Sequence, residues 1–304
     1  MSKIKFREVR LSNANKERLE AINDIIIEYQ NEGYKLTLRQ LYYQLVSRDV
    51  IPNKQAEYSK LSTLLKEGRM GGIVDWDAIE DRLRQPSSPS SWETPQDAMN
   101  ALIQQYSLPR MEGQQNYIEV WVEKDALSGV LKRVTEKYHI PILVNRGYSS
   151  ASAMFDAYNR FKNGINEIID NDELDGANVI IFYLGDFDPS GMDMIRDVED
   201  RIREFAKRDY EYFPLEVIPI ALTKEQIKKY NPPPNPAKRT DPRAKGFIAE
   251  HGATSWEVDA LPPNVLNTLL ENAIKKVIDI GKYKGIVNRE EADKEKLELL
   301  IEQL

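Results

Sequence analysis

The stretch VIIFYLGDFDPSGMD, Val179–Asp193, sets the apolar run Val179–Leu184 directly against three aspartates, a proline and two glycines. The run reads as the body of a buried strand, Asn178–Leu184. Asp188 followed by Pro189 reads as a helix start, with the carboxylate as cap and the proline at the first helical position. The same alternation recurs on both sides. Tyr117–Val122, Pro141–Asn145 and Pro214–Leu222 read as strands, and Asp125–Lys137, Ser150–Phe161 and Pro189–Lys207 as helices. Strands alternating with helices of about a dozen residues predict right-handed βαβ units, hence an α/β fold with a parallel sheet flanked by helices.

Upstream the period changes. Over residues 14–31, Leu19, Ile22, Ile26 and Tyr29 fall on one helical face. Thr37 caps a second helix, Leu38–Arg48, the VIPN after it is a turn, and Lys54–Lys66 is a third helix. GRMGGIVDWDAI then reads as a glycine turn and a short extended piece. Helix, turn, helix and a wing-like segment predict a winged-helix module, whose second helix would meet a DNA major groove. QPSSPSSWETP, Gln85–Pro95, reads as a linker or exposed loop. NPPPNPAKRTDPRAKG is a proline-rich basic loop, and the chain from Pro263 onward reads as helical. The expected organisation is a helix plus winged-helix domain over 1–110, the α/β domain over 111–225, and a basic loop with a helical C-terminal extension over 226–304.

The 304 residues are 41% apolar and include 15 tyrosines, which excludes a disordered chain. The net charge of −7 is not that of a generic nucleic-acid binder. The charge is uneven, however: Tyr34–Arg69 holds seven basic and three acidic residues, and Lys228–Lys245 six and one. Cysteine is absent, so disulfides, thiolate metal sites and thiol catalysis are excluded. With only His139 and His251, any metal should be a hard cation on oxygen ligands. The N-terminus lacks an apolar core segment, and no run approaches about 18 apolar residues, so the expectation is a cytoplasmic protein with no membrane span.

In a parallel sheet, functional groups gather at the carboxyl ends of the strands. Glu123 follows one such strand, and Asp186 and Asp188 follow another. Two ionised carboxylates about 5 Å apart repel by roughly 3 kcal/mol at an effective dielectric near 20, so a cluster of three calls for a cation, and magnesium fits that demand. Asp186, Asp188, Ser190, Gly191 and Asp197 also match positions of an EF-hand calcium loop, but that loop follows a helix, and Asp193 stands where an apolar residue belongs. Capping accounts for Asp188 but not for Asp186 or Glu123.

VWVEKDAL, LVNRGYSS and YLGDFDPSGMDM together resemble the Toprim domain of the topoisomerase VI A subunit and the related meiotic double-strand-break transesterase. The resemblance spans roughly Tyr117–Leu222 and continues more weakly through WEVDALPP. It implies a Rossmann-like Toprim domain in which Glu123, Asp186 and Asp188 hold Mg2+ and Glu123 also serves as an acid/base group. Asp193 would be solvated or support the ligands from behind, and Gly147 would give either close backbone approach or a plain turn.

TLRQLYYQL, Thr37–Leu45, resembles the Arg-x-x-Tyr-Tyr helix of the same family's winged-helix domain. The resemblance implies that Tyr43 is a nucleophile on a DNA phosphodiester with Arg39 as helper. Arg39 and Tyr43, four apart, share a helix face. The alternative is core packing; of two adjacent tyrosines on a helix, Tyr42 is expected inside and Tyr43 outside. Lys35, Arg39, Arg48, Lys54, Lys60, Lys66 and Arg69 are candidate phosphate contacts or a solvated face, as are Lys238, Arg239, Arg243 and Lys245 around the proline loop. Glu257 and Asp259 read as partners of basic residues or as further ligands, and His139 as a turn or packing residue.

The resulting expectation is a magnesium-dependent DNA-cleaving enzyme that forms a phosphotyrosyl link. By the resemblance it acts on double-stranded DNA as a homodimer, with a separate regulatory or ATPase subunit as a possible partner. The alternatives are a Toprim nuclease using metal-activated water and a non-catalytic DNA-binding protein of a mobile element or phage.

Overall fold

The computed structural model describes residues 3–80, 89–145, 147–171, 177–236 and 241–301. Part of the expected linker, and Lys238 and Arg239 of the basic loop, lie outside the described residues. The elements in chain order are α1 (Asn13–Asn31), α2 (Leu38–Ser47), α3 (Gln55–Met70), α4 (Pro95–Gln105), β1 (Asn116–Val122), α5 (Asp125–Tyr138), β2 (Ile142–Val144) and α6 (Ala151–Asn171). They continue with β3 (Asn178–Leu184), α7 (Pro189–Ala206), β4 (Leu215–Ala221), α8 (Lys224–Tyr230), β5 (Asn235–Pro236), α9 (Ala244–His251), β6 (Thr254–Ser255), α10 (Pro263–Val277) and α11 (Ile280–Ile301).

Strands β1 to β4 form a parallel sheet in the order β2-β1-β3-β4, flanked by helices: a Rossmann-like core. Successive side chains on a strand point to opposite faces. Ile118, Val120 and Val122 of β1, with Ile180, Phe182 and Leu184 of β3, pack against Leu127 and Leu131 of α5 and Leu266, Leu270 and Ile274 of α10. Trp121, Val179, Ile181 and Tyr183 face the other way, onto Met154 and Phe161 of α6 and Val198 and Ile202 of α7. The C-terminal region is therefore no appendage: α10 closes one face of the sheet. On the opposite face Glu119 is fully buried, taking bonds from Tyr117 Oη (3.0 Å), Trp121 Nε1 (2.9 Å) and Arg160 (2.8 and 3.0 Å).

Helices α1, α2 and α3 enclose a second core that includes Leu19, Ile22, Leu41, Leu45 and Leu64, and Ala260 from the distant segment 256–261 belongs to it. Helix α2 begins in a capping box: Gln40 N donates to Thr37 Oγ1 (3.3 Å), and Thr37 N donates to Gln40 Oε1 (2.9 Å). The extended pieces around it form isolated bridges, Lys5 with Gly71 and Leu36 with Ile79.

Candidate active site at the carboxyl edge of the sheet

Strand β1 connects outward to β2, while β3 lies on its other side, so the crevice above β1 and β3 is the topological switch point of the sheet. Val122 pairs with Leu184, which brings the residues after each strand together. Asp186 N donates to Glu123 Oε2 at 2.9 Å. A Cβ on Gly191 would lie 2.2 Å from Asp186 O, so only glycine lets the start of α7 fold this tightly over the loop. Asp188 caps α7, accepting from Gly191 N (2.7 Å) and Ser190 Oγ (2.9 Å).

Asp186 is held from two further sides. Its Oδ1 accepts from Val258 N (2.9 Å) and from Lys124 Nζ (2.8 Å). The same ammonium reaches Glu257 Oε2 (2.8 Å) and Asp259 Oδ1 (2.9 Å). Asp259, 1% exposed, meets Arg39 Nε with its other oxygen at 2.7 Å, and Arg39 also pairs with Glu257. Arg39 Nη2 lies 3.5 Å from the phenol oxygen of Tyr43, with the guanidinium 5.6 Å from its ring centre.

The electrostatics record an excess of carboxylates. Burial, and then the charge of Asp186, push Glu123 up to about 7. Burial raises Asp186 as well, against the pull of Lys124. Burial works to lower Lys124, but Asp259 and Asp186 outweigh it and hold the ammonium above its usual range. Burial, then Asp259, raise the Tyr43 phenol, against Arg39.

Among the described residues, no group of three histidine, cysteine, aspartate or glutamate side chains stands in an arrangement that could hold a metal. Here Lys124 occupies the oxygen of Asp186, and one oxygen of Asp188 is engaged in capping. The donor chemistry nevertheless suits a hard dication. All donors are carboxylate oxygens; Glu123, Asp186, Asp188, Glu257 and Asp259 outnumber Lys124 and Arg39; and two of the acids are pushed toward protonation.

Both tyrosines of α2 are buried, Tyr42 at 5% and Tyr43 at 4% exposure, which corrects the expectation of Tyr42 inside and Tyr43 outside. The helix has no free side at this point. Tyr42 packs edge-on to Tyr58 of α3 and bonds Asn53 Oδ1 (3.0 Å), while Tyr43 is covered by the segment carrying Asp259. The basic window is thinner than its sequence suggests. Arg48 is bound to Glu28 (2.8 and 2.9 Å), Lys60 to Glu57 (2.7 Å), and Arg69 to the carbonyls of Trp76 and Ile79 (both 3.1 Å). Lys35, Lys54 and Lys66 remain exposed, with no ion-pair partner among the described residues.

Asp193 anchors a neighbouring cluster, accepting from Tyr148 Oη (2.6 Å), Arg196 Nη2 (2.7 Å) and Arg243 Nε (2.7 Å). Gly147 has a positive φ of 66°, and an added Cβ would touch nothing within 4 Å, so it serves a turn and not a close approach. His139 ends α5 in the left-handed conformation. Sequence reasoning missed Lys124; its only local signal is a lysine directly after the strand-end glutamate.

Fold and site thus define a parallel α/β protein with a buried, cation-poor acidic site at the switch point of its sheet, joined to an α-helical N-terminal unit. No protein-family model matches the chain, and no curated protein matches it.

Proposed function

We propose that this protein is a divalent-metal-dependent DNA-cleaving enzyme of the Toprim class, similar to the topoisomerase VI A subunit, in which Tyr43 forms a phosphotyrosyl link. The observation that carries the reading is that Arg39 and Tyr43 reach the same buried network as Asp186, through Asp259 and Lys124. Helices α1 to α3 would act as the winged-helix domain. The exposed stripe Gln55, Ser59, Ser62 and Lys66 along α3 would face the duplex, with Lys35 and Lys54 on phosphates.

Glu123, Asp186 and Asp188 would hold the metal. When bound, it supplies charge stabilisation at the phosphate undergoing displacement. Arg39 is a forked donor suited to clamping a phosphate, once drawn from Glu257 and Asp259 by the incoming anion. The Tyr43 oxygen forms a bond to phosphorus as the bond to one strand oxygen breaks. The phenol proton leaves Tyr43, and the departing strand oxygen takes up a proton. The resemblance would give that exchange to Glu123.

A second reading, a nuclease using metal-activated water, is favoured by the burial of Tyr43, because burial opposes formation of the phenolate. Supercoiled plasmid incubated with protein and magnesium, stopped with detergent with and without protease, separates the two. The expected result is DNA trapped on protein, lost in Tyr43→Phe and in Asp186→Ala. Cleavage by Tyr43→Phe at the wild-type rate overturns the tyrosine mechanism and leaves the nuclease. Salt-sensitive binding with no cleavage by any form overturns both.

A further inference from the structure

Phe187 stands between the two aspartates of the site and faces away from them. The chain is extended at this point: Asp188 has φ −143° and ψ 171°, and Phe187 forms an antiparallel bridge with Trp256. Successive side chains of an extended chain point to opposite sides. Asp186 and Asp188 therefore reach the carboxyl edge of the sheet, and the Phe187 ring, 4% exposed, enters the core behind it.

Three rings from beyond residue 225, the expected end of the α/β domain, surround that ring. The centroids of His251, Phe247 and Trp256 lie 5.2, 5.6 and 6.1 Å from that of Phe187, each pair edge to face. Phe247 and His251, one turn apart on α9, meet each other at 4.9 Å. Aromatic pairs prefer this arrangement at these spacings. The backbone adds to the grip: Phe187 N donates to Trp256 O (2.8 Å) and Trp256 N to Phe187 O (3.0 Å). The start of α9 is moored separately, through Arg243 Nε on Asp193 Oδ2 of α7 (2.7 Å). His251 Nδ1 is buried with no hydrogen-bond partner among the described residues, and Nε2 lies 3.6 Å from Glu250 Oε1. An unpaired buried nitrogen is a cost, so what the imidazole contributes at this place is its ring.

We infer that α9 and Trp256 form an aromatic clamp on the aspartate loop: Phe247 and His251, acting through Phe187, hold Asp186 and Asp188 in place for a dication. They are positioning residues, since they reach the carboxylates only through Phe187. The metal side of this inference rests on the reading above in which Glu123, Asp186 and Asp188 hold the metal; the loop side does not.

Full-length wild type, Phe247→Ala, His251→Ala and His251→Phe are titrated with Mg2+ in a calorimeter, without DNA. Groups that support metal ligands from behind set affinity by about 10- to 100-fold. Each alanine variant should therefore bind Mg2+ about tenfold more weakly or worse. His251→Phe keeps a ring, removes the unpaired nitrogen and should stay within about threefold of wild type. Ile165→Ala opens a cavity on the opposite face of the sheet and should leave the affinity unchanged. Affinity unmoved in the alanine variants, or lowered as much by Ile165→Ala, overturns the clamp. So does His251→Phe as weak as His251→Ala, because the chemistry of the imidazole and not its ring would then matter. Should an alanine variant fail to fold, Phe247→Leu or His251→Leu takes its place, with a loss in the same direction expected.

Hydrogen exchange without metal reads the loop itself. The amides of Asp186 and Phe187 are bonded to Glu123 Oε2 and Trp256 O. They should exchange about tenfold faster in the alanine variants than in wild type or Ile165→Ala. Unchanged exchange overturns the clamp even where metal affinity falls. If wild-type protein binds no Mg2+, the metal reading fails, and the exchange rates alone still decide whether α9 holds the loop.

Discussion

At the scale of single residues, Glu123 illustrates how burial and charge set behaviour. Its ordinary carboxyl value is 4.5, and in the fold it is pushed up to about 7. The folded state therefore favours the protonated form. The stability tied to that preference is complete below about pH 4.5 and is lost as pH rises through about 7. Glu123→Gln keeps an oxygen to accept from Asp186 N but removes the charge. In the presence of chelator, the variant should match wild type near about pH 5 and exceed it by about 2 kcal/mol near about pH 8, in urea unfolding. Magnesium should reverse that order at the higher pH, because it stabilises only the charged form. A difference that stays constant with pH would remove the argument that charge crowding sets the properties of this site.

Glu119 is a carboxylate of the opposite kind, buried but amply supplied with donors. Arg160→Ala removes two of the four bonds described to Glu119 and leaves those from Tyr117 and Trp121. Breaking one side of a buried ion pair costs about 3 kcal/mol. Replacing both members, Glu119→Leu with Arg160→Leu, removes the stranded charge and should recover part of that loss. Chemical denaturation of the single and double variants checks both figures; a double variant no better than the single one would show that packing and not charge governs the position.

At the scale of elements, β3 was legible to the residue, because it carries an unbroken apolar run, and β1 to within one, its β-branched and aromatic residues outweighing the single charge of Glu119. The order of strands and helices then made the carboxyl edge predictable, and with it the approach of Glu123 to Asp186. Helix α6 was read ten residues too short, ending at Phe161 where the helix runs to Asn171. Gly164 is the cause: it weakens a helix pattern, yet here it is packing, since a Cβ would lie 2.1 Å from the Tyr117 ring. Helix α4 was missed: the stretch read as a linker ends at its first residue, Pro95, and the residues after it were assigned no element, although Thr94-Pro95-Gln96-Asp97 carries a capping box with proline at its first turn. Glu257 and Asp259 were read as partners of basic residues and do pair with Lys124 and Arg39, but which cations they would meet was illegible for a different reason. Lys124 meets Asp259 across 135 residues, and no local period encodes which distant acid a lysine will find. The failure over Tyr43 has the same origin: the period of α2 shows one apolar stripe, while the surface that covers its other side comes from residues 257–260.

At the scale of the whole molecule, segment 256–261 is a strap between two cores and determines how the protein unfolds. The N-terminal helices and the sheet have separate hydrophobic cores, and two such units ordinarily melt as two transitions. Here Ala260 is counted in one core and Val258 and Leu261 in the other, within four residues of chain. Neither core can open without dragging the strap from its partner and exposing the buried Asp259 and its two cations. The expected behaviour is a single cooperative transition in calorimetry, with the calorimetric and van't Hoff enthalpies equal. Ala260→Glu places a charge in the N-terminal core while leaving the sheet side of the strap in place. It should split the trace into two, the helical unit melting first, because the cost of an unpaired buried charge falls on that core alone. Two transitions already present in wild type would mean that the strap contributes little coupling. A single transition retained in Ala260→Glu, merely shifted down, would mean that the bonds from Asn53 to Pro234 and Asn235, from Asn267 to Tyr34 and from Arg133 to Glu32 hold the two units together without it.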